Sequence, residues 1–483
     1  MTQAPKNWKE SSVLSLVREE RPLAVLLILM TAVYTLLSCV RQWRFQTGGF
    51  DLGIHDQVIW EYSRFLHPTS TLMGFDNALG DHFDPILMLL GPLYWFLPGP
   101  EALFLAQSLA VAIGGLAVFR FARRRLGRTP AYQWTAAYLV FWGIQSGLSY
   151  DFHDLLLAVP FIAFAIDFID LKRWGWAFFC LVMLLFVKED LGLLVAFFGV
   201  YLLVLGEWKK GSAIFFVGVV GFLLEMTVVL PYLASPRSYN HWVYPDLGRS
   251  LGESIGTILR HPLLVPKVLF SDPQKIVTMF CSFLACGFLT FLSPVGLLTI
   301  PLLAERMLSN AGNLYSMGYH YSATIAPVLM MGGVDGLYRL AMREKGRSGK
   351  LVPIASLVVL VLNLATVPIF PLRDLFRAKF YRSNPVVETA PKALALVPPD
   401  AKVLAQDTIV PHLSHRKSIY MMAKSELGMD CDYFIACRDL PAWPFDGFDP
   451  IEGSARQRMS HGYQKIFDEN GWIVLKKAGG QDP

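Results

Sequence analysis

Apolar runs of roughly 15 to 24 residues recur from Pro22 to about Phe370, and a helix crossing a bilayer core needs ~20 such residues. No water is available in that core, so each spanning segment must satisfy its own backbone groups, which makes these runs helices. About eleven are expected on this length criterion, near 22–40, 100–119, 131–149, 154–170, 174–187, 191–206, 212–233, 277–292, 294–308, 321–340 and 351–370. The stretch from Pro85 to Pro98 is apolar but short, and Gly91 and Pro92 break it, so it is expected to be re-entrant or interfacial. The composition agrees, with 54% hydrophobic and 17% charged residues against ~25% charged in soluble domains. A soluble cytosolic enzyme and a disordered chain are both excluded. The net charge is only +5 and no Lys/Arg run is interleaved with aromatics, so no nucleic-acid partner is expected.

Lys6, Lys9, Arg18 and Arg21 precede the first run. Excess Lys and Arg mark cytoplasmic loops, which puts the amino terminus inside and the loop 41–99 outside. Basic residues then recur in every second connection: Arg123, Arg124, Arg125 and Arg128; Lys172 and Arg173; Lys209 and Lys210; Arg343, Lys345, Arg347 and Lys350. Only the turn at Ser293-Pro294 lacks them, so the eighth and ninth spans are the least marked. All 10 histidines fall on the outer side of this topology or in the tail. The long charged start and Arg41 after the first run do not fit a cleavable signal peptide. After Pro371 the pattern becomes mixed over about 110 residues, enough for one small domain. Strands are expected at Ala401–Gln406, Ile419–Met422 and Tyr433–Cys437, with a hairpin around Glu469-Asn470-Gly471. The expected division is a transmembrane module at 1–371 and an extracytoplasmic α/β domain at 372–483. Cys431 and Cys437 flank a strand of ~20 Å, beyond the roughly 7 Å reach of a disulfide.

The first outer loop carries Asp51, His55 and Asp56, then Asp81, His82 and Asp84 before Pro85. Asp51 reads as an N-cap. Yet it shares a helix face with His55, four residues on, and Asp56 adds a carboxylate that no cap requires. Such a set suits general-base work or metal binding equally. Asp84 before Pro85 has the form of a helix start and is assigned a structural role. The turn Lys188-Glu189-Asp190 joins runs of ~21 and ~24 Å, too short for a ~30 Å core. A recess open to the outside is therefore expected, with Lys188 offering a cation and Glu189 and Asp190 acceptors. Tyr150-Asp151-Phe152-His153-Asp154, Arg306 and His320-Tyr321 end on the same face. Lys188, Arg306 and His320 together suit a phosphate. Glu225 lies inside the seventh run without a named partner, and Asp335 and Arg339 are spaced as a helical pair. The loop from Ser235 to Ile276 suits a segment lying on the membrane surface.

Phe50-Asp51-Leu52-Gly53-Ile54 with Asp56-Gln57, Asp81-His82-Phe83-Asp84-Pro85, Phe152-His153, Lys188-Glu189-Asp190 and His320-Tyr321 together resemble a family of polytopic membrane proteins that carries a domain-of-unknown-function label and is grouped with the GT-C glycosyltransferases. The resemblance extends into the tail, at Ala405-Gln406-Asp407 and Pro411-His412-Leu413-Ser414. It implies a GT-C-like α-helical polytopic membrane protein in the cytoplasmic membrane. It also implies transfer of a sugar from a polyprenyl-phosphate donor to a glycan, lipid or protein acceptor outside. Asp51 would be the base with Asp56 and His55 beside it. Lys188, Glu189, Asp190, Arg306, His320 and Tyr321 would hold substrate and phosphate. This chain lacks the adjacent acidic pair of many GT-C first loops, which leaves Asp51 and Asp56 both open as the base. A divalent cation, Mg or Mn, is open too, with Asp81, His82, His153 and Asp154 as its candidate ligands. The alternatives are a transporter or lipid flippase, for which inverted repeats and midplane polar groups would be expected, and a non-catalytic envelope sensor or assembly protein.

Overall fold

The computed structural model describes residues 20–236, 242–343 and 348–479; Lys6, Lys9, Arg18, His241, Lys345 and Arg347 lie outside the described residues. The helical part runs through α1 (Arg21–Trp43), α2 (Ile54–Ser63), α3 (Glu101–Leu126), α4 (Arg128–Leu139) and α5 (Trp142–Ser149). It continues through α6 (Leu155–Asp170), α7 (Trp174–Leu185), α8 (Leu191–Val204) and α9 (Trp208–Ala234). Then follow α10 (Leu251–Arg260), α11 (Pro273–Leu284), α12 (Thr299–Met307), α13 (Ile325–Arg343) and α14 (Ser348–Leu364). Among the described residues, α1, α3 and α9 are each long and apolar enough to cross a bilayer unaided. α3 is the centre of the bundle: 83% of its apolar window is buried, against 28% for α1 and 22% for α9. Small residues along it, Ala110, Ala112, Gly114, Gly115 and Ala117, allow the neighbouring helices to approach closely.

Three expected spans are not continuous helices. The run 131–149 breaks between α4 and α5, and the Gln145 side chain donates to the freed Val140 carbonyl at 2.7 Å. The eighth run ends as α-helix at Leu284, turns through Gly287 and Phe288 with positive φ, and resumes as a 3-10 turn at Leu289–Leu292. The ninth begins as a 3-10 turn at Pro294–Leu298 before α12. Such backbone is tolerated where protein covers it. Thr290 donates to the Leu329 carbonyl at 2.6 Å and Ser293 to Asp335 at 2.6 Å, both on α13. Asp335 is also held by Arg125 at 3.0 Å and Arg339 at 2.7 Å, so neighbouring helices supply the positive charge this turn lacks. The arginines at the end of α3 form a wider network: Arg120 and Arg124 reach Asp167 at 3.2 and 2.6 Å, and Arg124 and Arg125 both reach Asp170 at 2.8 Å. Residues Pro85–Trp95 form an 11-residue 3-10 segment packed on α2 rather than a span.

The tail folds as a five-stranded sheet in the order β2-β1-β3-β5-β4: β1 (Val403–Ala405), β2 (Ile419–Met421), β3 (Tyr433–Cys437), β4 (Tyr463–Glu469) and β5 (Trp472–Lys477). β1 runs parallel to β2 and β3, while β5 is antiparallel to β3 and β4. Asn470 and Gly471 both take positive φ in the β4–β5 turn, which is the demand of a two-residue hairpin. Alternate residues of β3 serve two cores: Tyr433, Ile435 and Cys437 face one, Phe434 and Ala436 the other. Helix α15 (Pro385–Ala395) packs in the first core, and α16 (Asp449–Ser460) in the second. Phe45 and Leu72, from the first loop, also pack in the first core. Cys437, the last residue of β3, and Cys431, two residues before the strand, are free thiols.

Candidate active site

Asp51 lies in a π-helical turn, Gly49–Gly53, that leads into α2. The first amides of such a turn have no partner within it, and two other parts of the chain supply acceptors. Asp151 accepts from the Gly48 N–H at 2.7 Å, and Asp407 of the tail domain accepts from the Gly49 and Phe50 N–H groups at 2.8 and 3.2 Å. Glycine is required here by proximity. A Cβ on Gly49 would lie 2.6 Å from Val410, and one on Gly53 2.7 Å from it. Burial, then the nearby Asp407 carboxylate, pushes the Asp51 carboxyl up to about 6. Burial and Asp51 push Asp151 up to about 8. The His55 Nδ1 is 2.8 Å from the Asp51 backbone carbonyl, so His55 braces the turn rather than the carboxylate.

The charged turn between α7 and α8 is buried beside it, as its short flanking helices imply. Lys188 lies 3.9 Å from Asp154 and its side chain is 13% exposed. Burial opposes its charge, yet Asp154, Asp190 and Glu189 hold the ammonium above its ordinary range. Glu189 faces the loop between α2 and α3, accepting from the Phe83 N–H at 3.1 Å and meeting His82 Nδ1 at 2.8 Å. Burial, then Glu305, holds Asp190 well above the usual carboxylate range. His153 and His320 stack with ring centroids 3.3 Å apart, and Tyr150 stacks on His153 at 5.6 Å. Burial holds both imidazoles well below the usual histidine value, reinforced by His320 for His153 and by Lys188 for His320. Among the described residues, His153 Nε2, 3.9 Å from Asp51, and His320 Nδ1 have no hydrogen-bond partner.

Three cavities meet at this cluster. A polar vestibule of about 1150 Å³ lies between the bundle and the tail domain, with Asp51, Tyr150, Asp151 and Asp407 in its wall. A central pocket of about 310 Å³ is lined by Asp51, His55, Asp81, His82, Asp84, His153, Asp154 and Lys188. An apolar chamber of about 480 Å³ continues from Lys188 between α8, α9, α10 and α12, past Phe197, Phe222, Met226 and Ile258. Tyr321 lines all three, as does Asn313, which sequence reasoning did not single out. The 235–276 loop thus contributes one wall: Ile258 of α10 lines the chamber while Leu259 and Leu263 are exposed.

Several expected site residues stand elsewhere. Asp56 turns away from Asp51 and is 1% exposed. It accepts from the Tyr94 and Ser414 hydroxyls and lies 3.1 Å from His415 Nε2, which makes it a latch to the tail domain. Its neighbour Gln57 likewise donates to the Arg416 carbonyl at 3.1 Å. Arg306 lines none of the three cavities; it donates to the Leu314 carbonyl at 2.8 Å and to Ser322 at 2.7 Å, bracing the loop that presents His320. Asp84 makes no capping bond despite Pro85 at the first position, and it lines the central pocket instead. Burial and the nearby Asp154 hold its carboxyl well above the usual range. The four metal candidates are divided: Asp154 caps α6 through the Leu155 N–H at 2.8 Å, His153 stacks on His320, His82 meets Glu189, and Asp81 lines the pocket. Among the described residues no group of three His, Cys, Asp or Glu side chains is placed to hold an ion. Glu225 opens the π-helical stretch of α9, buried near Glu189, with Oε2 unpartnered among the described residues.

With this geometry in place, residues 41–474 match the family model described as "Predicted membrane protein (DUF2079)". The chain belongs to this family. No curated protein matches it. Among solved structures it is similar to ArnT from Cupriavidus metallidurans bound to undecaprenyl phosphate, with TM-score 0.56 at 12% identity over 95% of this chain and 99% of that one. The apo form of the same ArnT gives TM-score 0.54 at 11% identity, over 94% and 97%. At that identity the likeness establishes the fold, and the GT-C-like architecture implied by the family resemblance holds at that level.

Proposed function

We propose that this chain is an integral-membrane glycosyltransferase that moves a sugar from a polyprenyl-phosphate donor to an acceptor on the outer face of the cytoplasmic membrane. The observation that carries the reading is the position of Asp51 in the walls of both the polar vestibule and the central pocket, from which the apolar chamber continues past Lys188. The apolar chamber suits a polyprenyl chain, Lys188 with His320 and Tyr321 suits its phosphate, and the vestibule suits a hydrophilic acceptor. The ArnT structure with undecaprenyl phosphate supports a carrier of this class. In the reaction the acceptor hydroxyl gives its proton to Asp51 while its oxygen bonds to the anomeric carbon. The bond from that carbon to the phosphate oxygen breaks, and the electron pair leaves with the phosphate beside Lys188.

Asp51 works unprotonated, so transfer should rise with pH through about 6, the value to which burial and Asp407 push it. Asp51→Asn should abolish transfer in proteoliposomes supplied with a panel of polyprenyl-phosphate sugars, with expression intact. Full activity in that variant would sink the assignment of the base. Mass spectrometry of surface glycans from cells with and without the protein identifies the sugar and acceptor.

A further inference from the structure

We infer that Asp407 of the tail domain is a positioning residue for Asp51, holding in working geometry the turn that carries the base; this rests on the reading of Asp51 given above. One carboxylate oxygen of Asp407 takes both amides at the start of the turn, Gly49 N–H at 2.8 Å and Phe50 N–H at 3.2 Å, from more than 350 residues away in sequence. The carboxylate is buried, and among the described residues no ion pair reaches it. Charge-assisted bonds of this kind are about twice as strong as neutral ones. Asp151 takes the preceding amide, Gly48 N–H at 2.7 Å, so the three consecutive amides before Asp51 are all held by carboxylates. Val410, one 3-10 turn on from Asp407, fills the space that Gly49 and Gly53 leave open. The tail domain is therefore part of the catalytic loop's mould. Its Asp407 also supplies the negative charge that raises the basicity of Asp51.

Two substitutions separate the two effects. Asp407→Ala removes both acceptor bonds. Asp407→Asn keeps an oxygen that accepts them but removes the charge. Hydrogen exchange of the full-length protein in detergent reads the geometry without any substrate. Exchange across residues 48–53 should quicken strongly in Asp407→Ala and much less in Asp407→Asn, whose neutral oxygen still accepts both bonds. In the transfer assay Asp407→Ala should lose on the order of 100-fold in kcat, the effect of displacing a catalytic group by about 1 Å, with the donor KM unchanged. Asp407→Asn should keep most of its rate at high pH while its acid limb moves to lower pH. Wild-type protection of residues 48–53 in Asp407→Ala overturns the inference, as does equal deprotection in both variants. If wild type fails to transfer while the exchange pattern is as expected, the transferase reading falls and the contact stands.

Discussion

Removing the cation from the central pocket is the most demanding perturbation of this site. Lys188 lies 3.9 Å from Asp154, and at an effective dielectric of about 20 that pair is worth about 4 kcal/mol. Lys188→Gln removes the attraction and leaves buried carboxylates facing one another. The fold should lose less than that figure below neutral pH, because Asp84 and Asp190 are already held well above the usual carboxylate range and can take up protons in place of the lost cation. A folded-state pKa raised above its unfolded value contributes stability that is present at low pH and lost as pH rises through the folded value. The melting temperature of Lys188→Gln should therefore fall progressively further below wild type as pH increases. Catalysis has no such relief. The leaving phosphate gains negative charge in the transition state, and losing one preorganised countercharge there costs on the order of 100- to 1000-fold in kcat/KM. The assay is transfer in proteoliposomes from a polyprenyl-phosphate sugar, paired with thermal unfolding in detergent across pH. Donor kcat/KM within ten-fold of wild type would refute the phosphate role of Lys188. A melting-temperature deficit independent of pH would refute the proton-uptake argument.

Two further outcomes follow from the docking of the tail. Gly49→Ala sets a methyl 2.6 Å from the Val410 Cβ, an overpacking that costs about 1 to 3 kcal/mol; it should lower the melting temperature and transfer together, and Val410→Ala in the same chain should restore part of both. Against burial, the Asp56 carboxylate holds His415 above its ordinary histidine value. The latch between them should be fully present at acidic pH and weaken as pH rises through that raised value, seen as faster hydrogen exchange around Ser414, and His415→Asn should abolish this pH dependence.

Much of the fold was legible because it follows from local chemistry. Apolar run length marks helices, and the positive φ demanded at Asn470 and Gly471 marked the closing hairpin. The Lys188 turn was legible for the same reason, since its flanking helices of 12 and 14 residues are short in any tertiary setting. Asp84 misled because Asp before Pro predicts where a helix starts and not where the carboxylate points. Asp56 misled because residues five apart on a helix point about 140° away from one another, and only the packing of Ser414 and His415 decides which carboxylate faces the cavity. The broken eighth and ninth spans were obscure because their interrupted stretch is held by the Thr290 and Ser293 hydroxyls to α13, a partner that no local pattern names.

The sequence by itself determined that this chain is a helical membrane protein with its chemistry gathered at one face and a small α/β domain at its end, because hydropathy, helix length and turn residues act within a few residues of chain. Only the tertiary structure decided that Asp51, Lys188, His153 and His320 share a pocket, that Asp56 does not, and that Asp407 belongs to the turn beneath Asp51. Those relations join residues hundreds of positions apart, through burial and hydrogen bonds that exist once the bundle and the tail domain have closed on each other.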